Sequence, residues 1–260
     1  MKLFRPDQSA AGPVADAQPP ARPEVDDRIV MLCDPGCLAA EEYRAIRTTL
    51  LARASQSRHL VHTLTSATPQ EGKTITSLNL GFSLAELRNR RTLVIEADLR
   101  LPTFDALLQF DEGPGLVQVL RKEAHLRDAV RQVGPSGLSV LAAGGRAGDQ
   151  AVQLLSGQRM ARLVRALRKR FDHVIIDTPP VLELADAGIL GAISDEVLLA
   201  VRMNRTPRPL VEQAVRTLHA YQVELGGVIA TDHEPLGHRY DYRYGYRYRY
   251  RYHPDRRRAG

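Results

Sequence analysis

Between residue 28 and Thr231, short apolar runs alternate with longer stretches of helical periodicity. The runs at 59–66, 92–97, 138–142, 173–177, 196–202 and 226–230 are rich in Val, Ile and Leu and short enough for strands. In 157–171, by contrast, Met160, Leu163, Val164, Leu167 and Phe171 recur on one helix face. A last helix is predicted after Thr206 as N-cap, with Pro207 in its first turn and Leu210, Val211, Ala214, Val215 and Leu218 as its buried stripe. Strands that are apolar throughout and alternate with helices predict an α/β fold, a mainly parallel sheet covered by helices on both faces. Ligands bind such sheets at the carboxyl ends of the strands, so chemistry is expected there.

Composition suits a single globular core: 260 residues, 43% hydrophobic and 25% charged. No apolar run reaches the roughly 18 residues of a membrane helix, and residues 1–6 are not followed by the apolar stretch of a secretory signal. Cys33 and Cys37 are too few for a disulfide framework and point to a reducing compartment. A cytoplasmic protein is expected. Residues 1–28 hold five prolines and no periodicity, and read as a disordered arm. The net charge of +6 lies at the other end. From His233 to Gly260, eight arginines stand against Glu234, Asp241 and Asp255, and the rest of the chain is nearly neutral. The chain therefore divides into an arm (1–28), a globular domain (29–236) and a Tyr/Arg-rich tail (237–260) read as disordered.

The first strand runs into Ser66-Ala67-Thr68-Pro69-Gln70-Glu71-Gly72-Lys73-Thr74, and a helix follows. Strand, loop and helix N-terminus is the setting of a phosphate-binding P-loop. Backbone N–H groups from Gln70 through Glu71, Gly72 and Lys73 to Thr74 would cradle a phosphate, Lys73 would neutralise β and γ oxygens, and the Thr74 hydroxyl would meet Mg²⁺. Two more strands end in acids. The run 173–177 closes on Asp177, whose burial is costly unless a cation pairs with it. The run 92–97 is followed by Asp98 and Arg100 and contains Glu96. Either Glu96 or Asp98 suits a base that accepts a proton or holds a metal-bound water; the residue types do not decide between them.

With these segments in place, the chain resembles the bacterial protein-tyrosine kinases, the autokinases of capsule and exopolysaccharide assembly. Glu71-Gly72-Lys73-Thr74, Glu96-x-Asp98-x-Arg100 and Asp177-Thr178-Pro179-Pro180 are similar to the family's Walker A, A′ and B motifs, and Glu41, Arg44 and Arg47 to its ring-forming E-x-x-R-x-x-R. The resemblance spans residues 30–252. It implies a three-layer P-loop NTPase fold, ATP and Mg²⁺ as cofactors, and metal ligation by Thr74, Asp177 and Glu96, with Glu96 the favoured base. Arg100 would stabilise charge, and Thr231 would lie by the nucleotide base. Tyr240, Tyr242, Tyr244, Tyr246, Tyr248, Tyr250 and Tyr252 resemble the cluster that such kinases phosphorylate in a neighbouring subunit. A homo-oligomeric ring, a transmembrane polysaccharide co-polymerase as activator, an opposing tyrosine phosphatase and peripheral attachment at the inner membrane face are implied as well. Glu96 stands where the family has Asp, Thr231 where it has Asn, and Gln70 where small residues are usual.

Two other readings compete. A partitioning or septum-positioning ATPase would carry a signature lysine where Thr68 stands. The Arg/Tyr tail would suit single-stranded nucleic acid, but a neutral core with phosphate-site motifs makes nucleic acid an unexpected partner. Arg159, Arg162, Arg165 and Arg168 read as a solvated helix face.

Overall fold

The computed structural model describes residues 25–53 and 59–232. The arm to residue 24 and the tail from residue 233 lie outside the described residues, as do all seven tail tyrosines.

Strands β1 (Leu60–Ser66), β2 (Thr92–Glu96), β3 (Arg131–Val133), β4 (Leu138–Leu141), β5 (His173–Asp177), β6 (Glu196–Arg202) and β7 (Leu225–Thr231) form one sheet, ordered β3-β4-β2-β5-β1-β6-β7. All pairings are parallel except β3 with β4. Alternation along each strand feeds two cores. Leu64, Val94, Ile175 and Leu198 point to one face, beneath α1 (Val30–Cys33), α2 (Leu38–Arg53), α3 (Lys73–Ala85) and α4 (Phe104–Leu108). Leu93, Ile95, Val174 and Ile176 point to the other, where α5 (Leu116–Arg121), α6 (Leu126–Ala129), α7 (Ala151–Ser156), α8 (Gln158–Arg168) and α9 (Asp186–Gly191) cover them. On that face α10 (Arg208–Ala220) packs Ala214 and Leu218 on Val197 and Leu199. Both faces of the central strands are therefore covered, which is why β2, β5 and β6 read as nearly continuous apolar runs.

The six strands expected from the sequence are present. β3 was not expected: its three residues are exposed or half-buried at the sheet edge and leave no hydrophobic signature. Residues 25–28 join the domain rather than the arm. The Asp26 N–H donates to the Leu107 carbonyl at 3.0 Å, and Asn79 Nδ2 donates to the Arg28 carbonyl at 2.9 Å. Helix α10 starts at Arg208 with Pro207 in the cap position. Thr206 is not its cap, because its hydroxyl is engaged elsewhere.

Helix α3 is the centre of the first layer, with every residue from Thr76 to Ala85 buried. It lies close on β2: a Cβ on Gly81 would stand 2.3 Å from Val94 Cγ2, so only glycine permits this approach. Two arginines then tie α2 to the end of α3. Arg44 grips Glu86 with both edges of its fork, Nε to Oε2 at 3.0 Å and Nη2 to Oε1 at 2.6 Å, and also meets Glu41 at 2.6 Å. Arg47 Nη1 reaches Glu86 Oε2 at 2.8 Å and the Ser83 carbonyl. The expected ring-forming residues thus have a partner inside their own chain.

The hydrogen bond from Arg44 lowers the pKa of Glu86, with Arg47 adding to it against partial burial. A depressed carboxylate stabilises the fold above its unfolded pKa and loses that contribution as pH falls. Glu86→Gln should therefore cost about 1 kcal/mol at pH 7, partial exposure reducing the full value of such bonds. The loss should shrink toward pH 3, as read by urea denaturation.

Candidate active site

The carboxyl ends of β1, β2 and β5 meet at one edge, with Leu64 and Glu96 both in register with Asp177. The loop after β1 turns there into α3. Gly72 has φ 81° and Gln70 φ 62°, both left-handed. Glycine adopts this freely, whereas Gln70 does so at a cost of roughly 1 kcal/mol.

Glu71 holds the loop in shape. Its buried carboxylate accepts the N–H groups of Ala67 (3.3 Å) and Thr68 (3.2 Å), the Thr68 hydroxyl (2.6 Å) and the Thr206 hydroxyl (3.0 Å). Its carbonyl accepts the Thr231 hydroxyl at 2.7 Å. Thr206 comes from the loop before α10 and Thr231 from the end of β7, so two distant segments brace the loop. Thr231 lies against the loop itself, with its side chain 3.4 Å from where a Cβ on Gly72 would be.

Beside the loop, Lys73 Nζ lies 3.3 Å from Asp98 Oδ2 and 3.2 Å from Thr74 Oγ1. The Thr74 hydroxyl donates to Asp177 Oδ2 at 2.9 Å, and the Ser77 hydroxyl donates to Asp177 Oδ1 at 3.1 Å. Burial opposes the Lys73 ammonium, but Asp177 and Asp98 outweigh it and raise its pKa, so Lys73 is firmly cationic. Burial raises Asp177, and Lys73 pulls it back. Asp98 is fixed by its other oxygen, which accepts the Leu101 N–H at 3.1 Å.

Glu96, expected as base and metal ligand, has a fully buried carboxylate that accepts backbone donors. Oε1 accepts the N–H groups of Thr103 and Phe104 (2.8 Å) at the start of α4, and Oε2 accepts that of Ala143 (3.0 Å) just after β4. The extra methylene, compared with Asp, carries the carboxylate past the strand end to these donors. The acid next to Lys73 is Asp98. The Arg100 guanidinium lies beside Asp186 and the Gly148 carbonyl.

A hydroxyl and a carboxylate held together beside a lysine form a hard-oxygen donor pair of the kind Mg²⁺ takes, so Thr74 and Asp177 fit a metal. The loop and Lys73 fit phosphate oxygens. Ser77 and Thr206 were not singled out from the sequence. Ser77, three residues after Thr74 on the same helix face, was open to inference; Thr206, 135 positions from Glu71, left no local signal.

Residues 70–226 match the model of the AAA domain family. The chain is 33% identical over 201 residues to the tyrosine-protein kinase YwqD of Bacillus subtilis, covering 77% of this chain and 84% of that protein. It is 31% identical over 207 residues to the succinoglycan biosynthesis transport protein ExoP of Rhizobium meliloti, covering 78% of this chain but 26% of that one. The solved kinase domain of the Escherichia coli tyrosine kinase ETK superposes with a TM-score of 0.73 at 27% identity, covering 84% of each chain.

Burial pushes Glu96 up to about 7, against the pull of the Ala143, Thr103 and Phe104 N–H groups. A raised carboxylate binds its proton more tightly in the fold than in the unfolded chain. Its share of stability is therefore full below an unfolded pKa near 4.5 and is lost as pH rises to about 7. Glu96→Gln should remove that slope, on the order of 3 kcal/mol across the window. Chemical denaturation of both proteins between those pH values tests it: equal slopes would refute the assignment.

Proposed function

The chain belongs to the bacterial tyrosine-protein kinases, and from that premise we propose that it phosphorylates its own C-terminal tyrosines in the control of exopolysaccharide synthesis. The observation that carries this reading is the set Lys73, Asp98, Thr74 and Asp177 gathered within bonding distance at the mouth of the loop. Thr68 in place of a signature lysine weighs against a partitioning ATPase.

Phosphoryl transfer asks for positioning and charge neutralisation more than covalent help. Loop N–H groups and Lys73 hold the β and γ oxygens of ATP. Thr74 and Asp177 would hold Mg²⁺, which when bound would supply positive charge to the phosphates. Asp98 Oδ2 accepts the phenol proton as the tyrosine oxygen bonds to the γ-phosphorus and ADP leaves. Arg100 offers charge on the acceptor side, and Thr231 sits beside the nucleotide.

The tail is the proposed acceptor, presented to a neighbouring subunit in a ring that Glu41, Arg44 and Arg47 help to form. Glu41 is the exposed member of that set, its side chain 63% accessible. Among the described residues no helix is long and apolar enough to cross a membrane. A transmembrane co-polymerase would bring the chain to the inner membrane face and activate it, and a phosphatase would reset it. Each phosphate adds roughly −1.5 to −2, so full modification of the seven tyrosines reverses the sign of the tail, favouring ring dissociation and release from anionic lipid.

Asp98→Asn should lower phosphotyrosine formation by about 10²-fold or more, the usual share of a general base, and more than Glu96→Gln does. A greater loss in the Glu96 variant, by phosphotyrosine immunoblot under single-turnover conditions, would return the base to Glu96. Incubation with ATP and an activator's cytoplasmic tail should place phosphate within residues 240–252, detectable by mass spectrometry. Consumption of ATP with no phosphate there would refute the tail as acceptor.

A further inference from the structure

Asp186 opens α9, and none of the motifs above includes it. Its side chain is fully buried, yet neither carboxylate oxygen has a hydrogen-bond partner among the described residues. Acids in the first turn of a helix commonly cap it. Here no N–H of α9 reaches either oxygen, so capping does not account for Asp186. Burial raises its pKa and Arg100 opposes the rise.

The cation facing it is Arg100, whose Nε lies 3.8 Å from Asp186 Oδ2, within ion-pair range but too far for a hydrogen bond. That Nε is itself buried without an acceptor. Nη1 approaches the Gly148 carbonyl at 3.4 Å, and Nη2 makes no hydrogen bond among the described residues. The guanidinium is 26% exposed: its Nε edge faces Asp186, its remaining surface is open to solvent, and the residue stands two positions beyond Asp98 in the chain. A buried carboxylate without a hydrogen bond costs several kcal/mol. Helix geometry, packing and capping give no return for that cost, whereas orienting a planar five-donor fork does.

Resting on the kinase reading, we propose that Asp186 is a positioning residue for phosphoryl transfer: it holds the Nε edge of Arg100 so that the Nη edge meets the anionic group at the acceptor side.

The test uses the full chain with its activator's cytoplasmic tail and compares wild type, Asp186→Asn, Asp186→Glu, Arg100→Lys and the double variant D186N/R100K. Asp186→Asn should lower kcat for phosphotyrosine formation about 10²-fold while KM for ATP stays within about twofold. Asp186→Glu should recover part of the loss, and the double variant should be scarcely worse than Arg100→Lys alone. Wild-type kcat in Asp186→Asn, or losses that multiply in the double variant, would overturn the proposal. If Asp186→Asn does not fold, Asp186→Glu against Arg100→Lys decides by the same kcat-to-KM split. Wild type that binds ATP but forms no phosphotyrosine would count against the kinase reading instead. Asp186 is then judged by the Arg100 Nε–H resonance in ¹⁵N-arginine NMR, whose slow solvent exchange should be lost in Asp186→Asn and whose persistence there would overturn the proposal.

Discussion

The cost of placing a negative charge at the end of a central strand organises this molecule. Asp177 terminates β5, is flanked by β1 and β2, and is essentially without solvent. A carboxylate there is tolerable only with donors and a cation close by. Thr74 and Ser77 supply the donors from one face of α3, and Lys73 supplies the charge. Helix α3 must therefore begin at this edge and lie tightly on the sheet. Gly81 allows that closeness, and Arg44 and Arg47 anchor its far end through Glu86.

Two other acids at the same edge meet the same cost differently. Glu71 spends its charge on the shape of the loop, shared among four donors. Glu96 spends its charge joining β2 to the start of α4 and the end of β4, and burial raises its pKa. Asp98 alone keeps an oxygen turned toward Lys73. Neighbouring carboxylates thus differ by the donors that surround each, not by their order in the chain.

Much of this was legible in the sequence. The strand runs, the P-loop and the terminal Asp177 follow from short-range pattern, because buried parallel strands and a phosphate loop each demand particular residues in consecutive positions. The different surroundings of Glu96 and Asp98 were not legible. They depend on one methylene and on N–H groups supplied from Thr103, Phe104 and Ala143, and the last of these lies 47 positions away. Strand β3 escaped for a different reason: a three-residue edge strand buries too little to write a pattern. Thr206 looked like a helix cap because a hydroxyl before a proline usually is one; Glu71, brought near by the tertiary fold, took the hydroxyl instead.

Thr231 ends β7, and the backbone runs on through Asp232 toward the tyrosines. Its hydroxyl also steadies the carbonyl of Glu71. The end of β7 and the loop before α3 are thereby coupled in series through one bond of 2.7 Å. Any displacement of the end of β7 therefore loads the loop before α3, because the two share that bond.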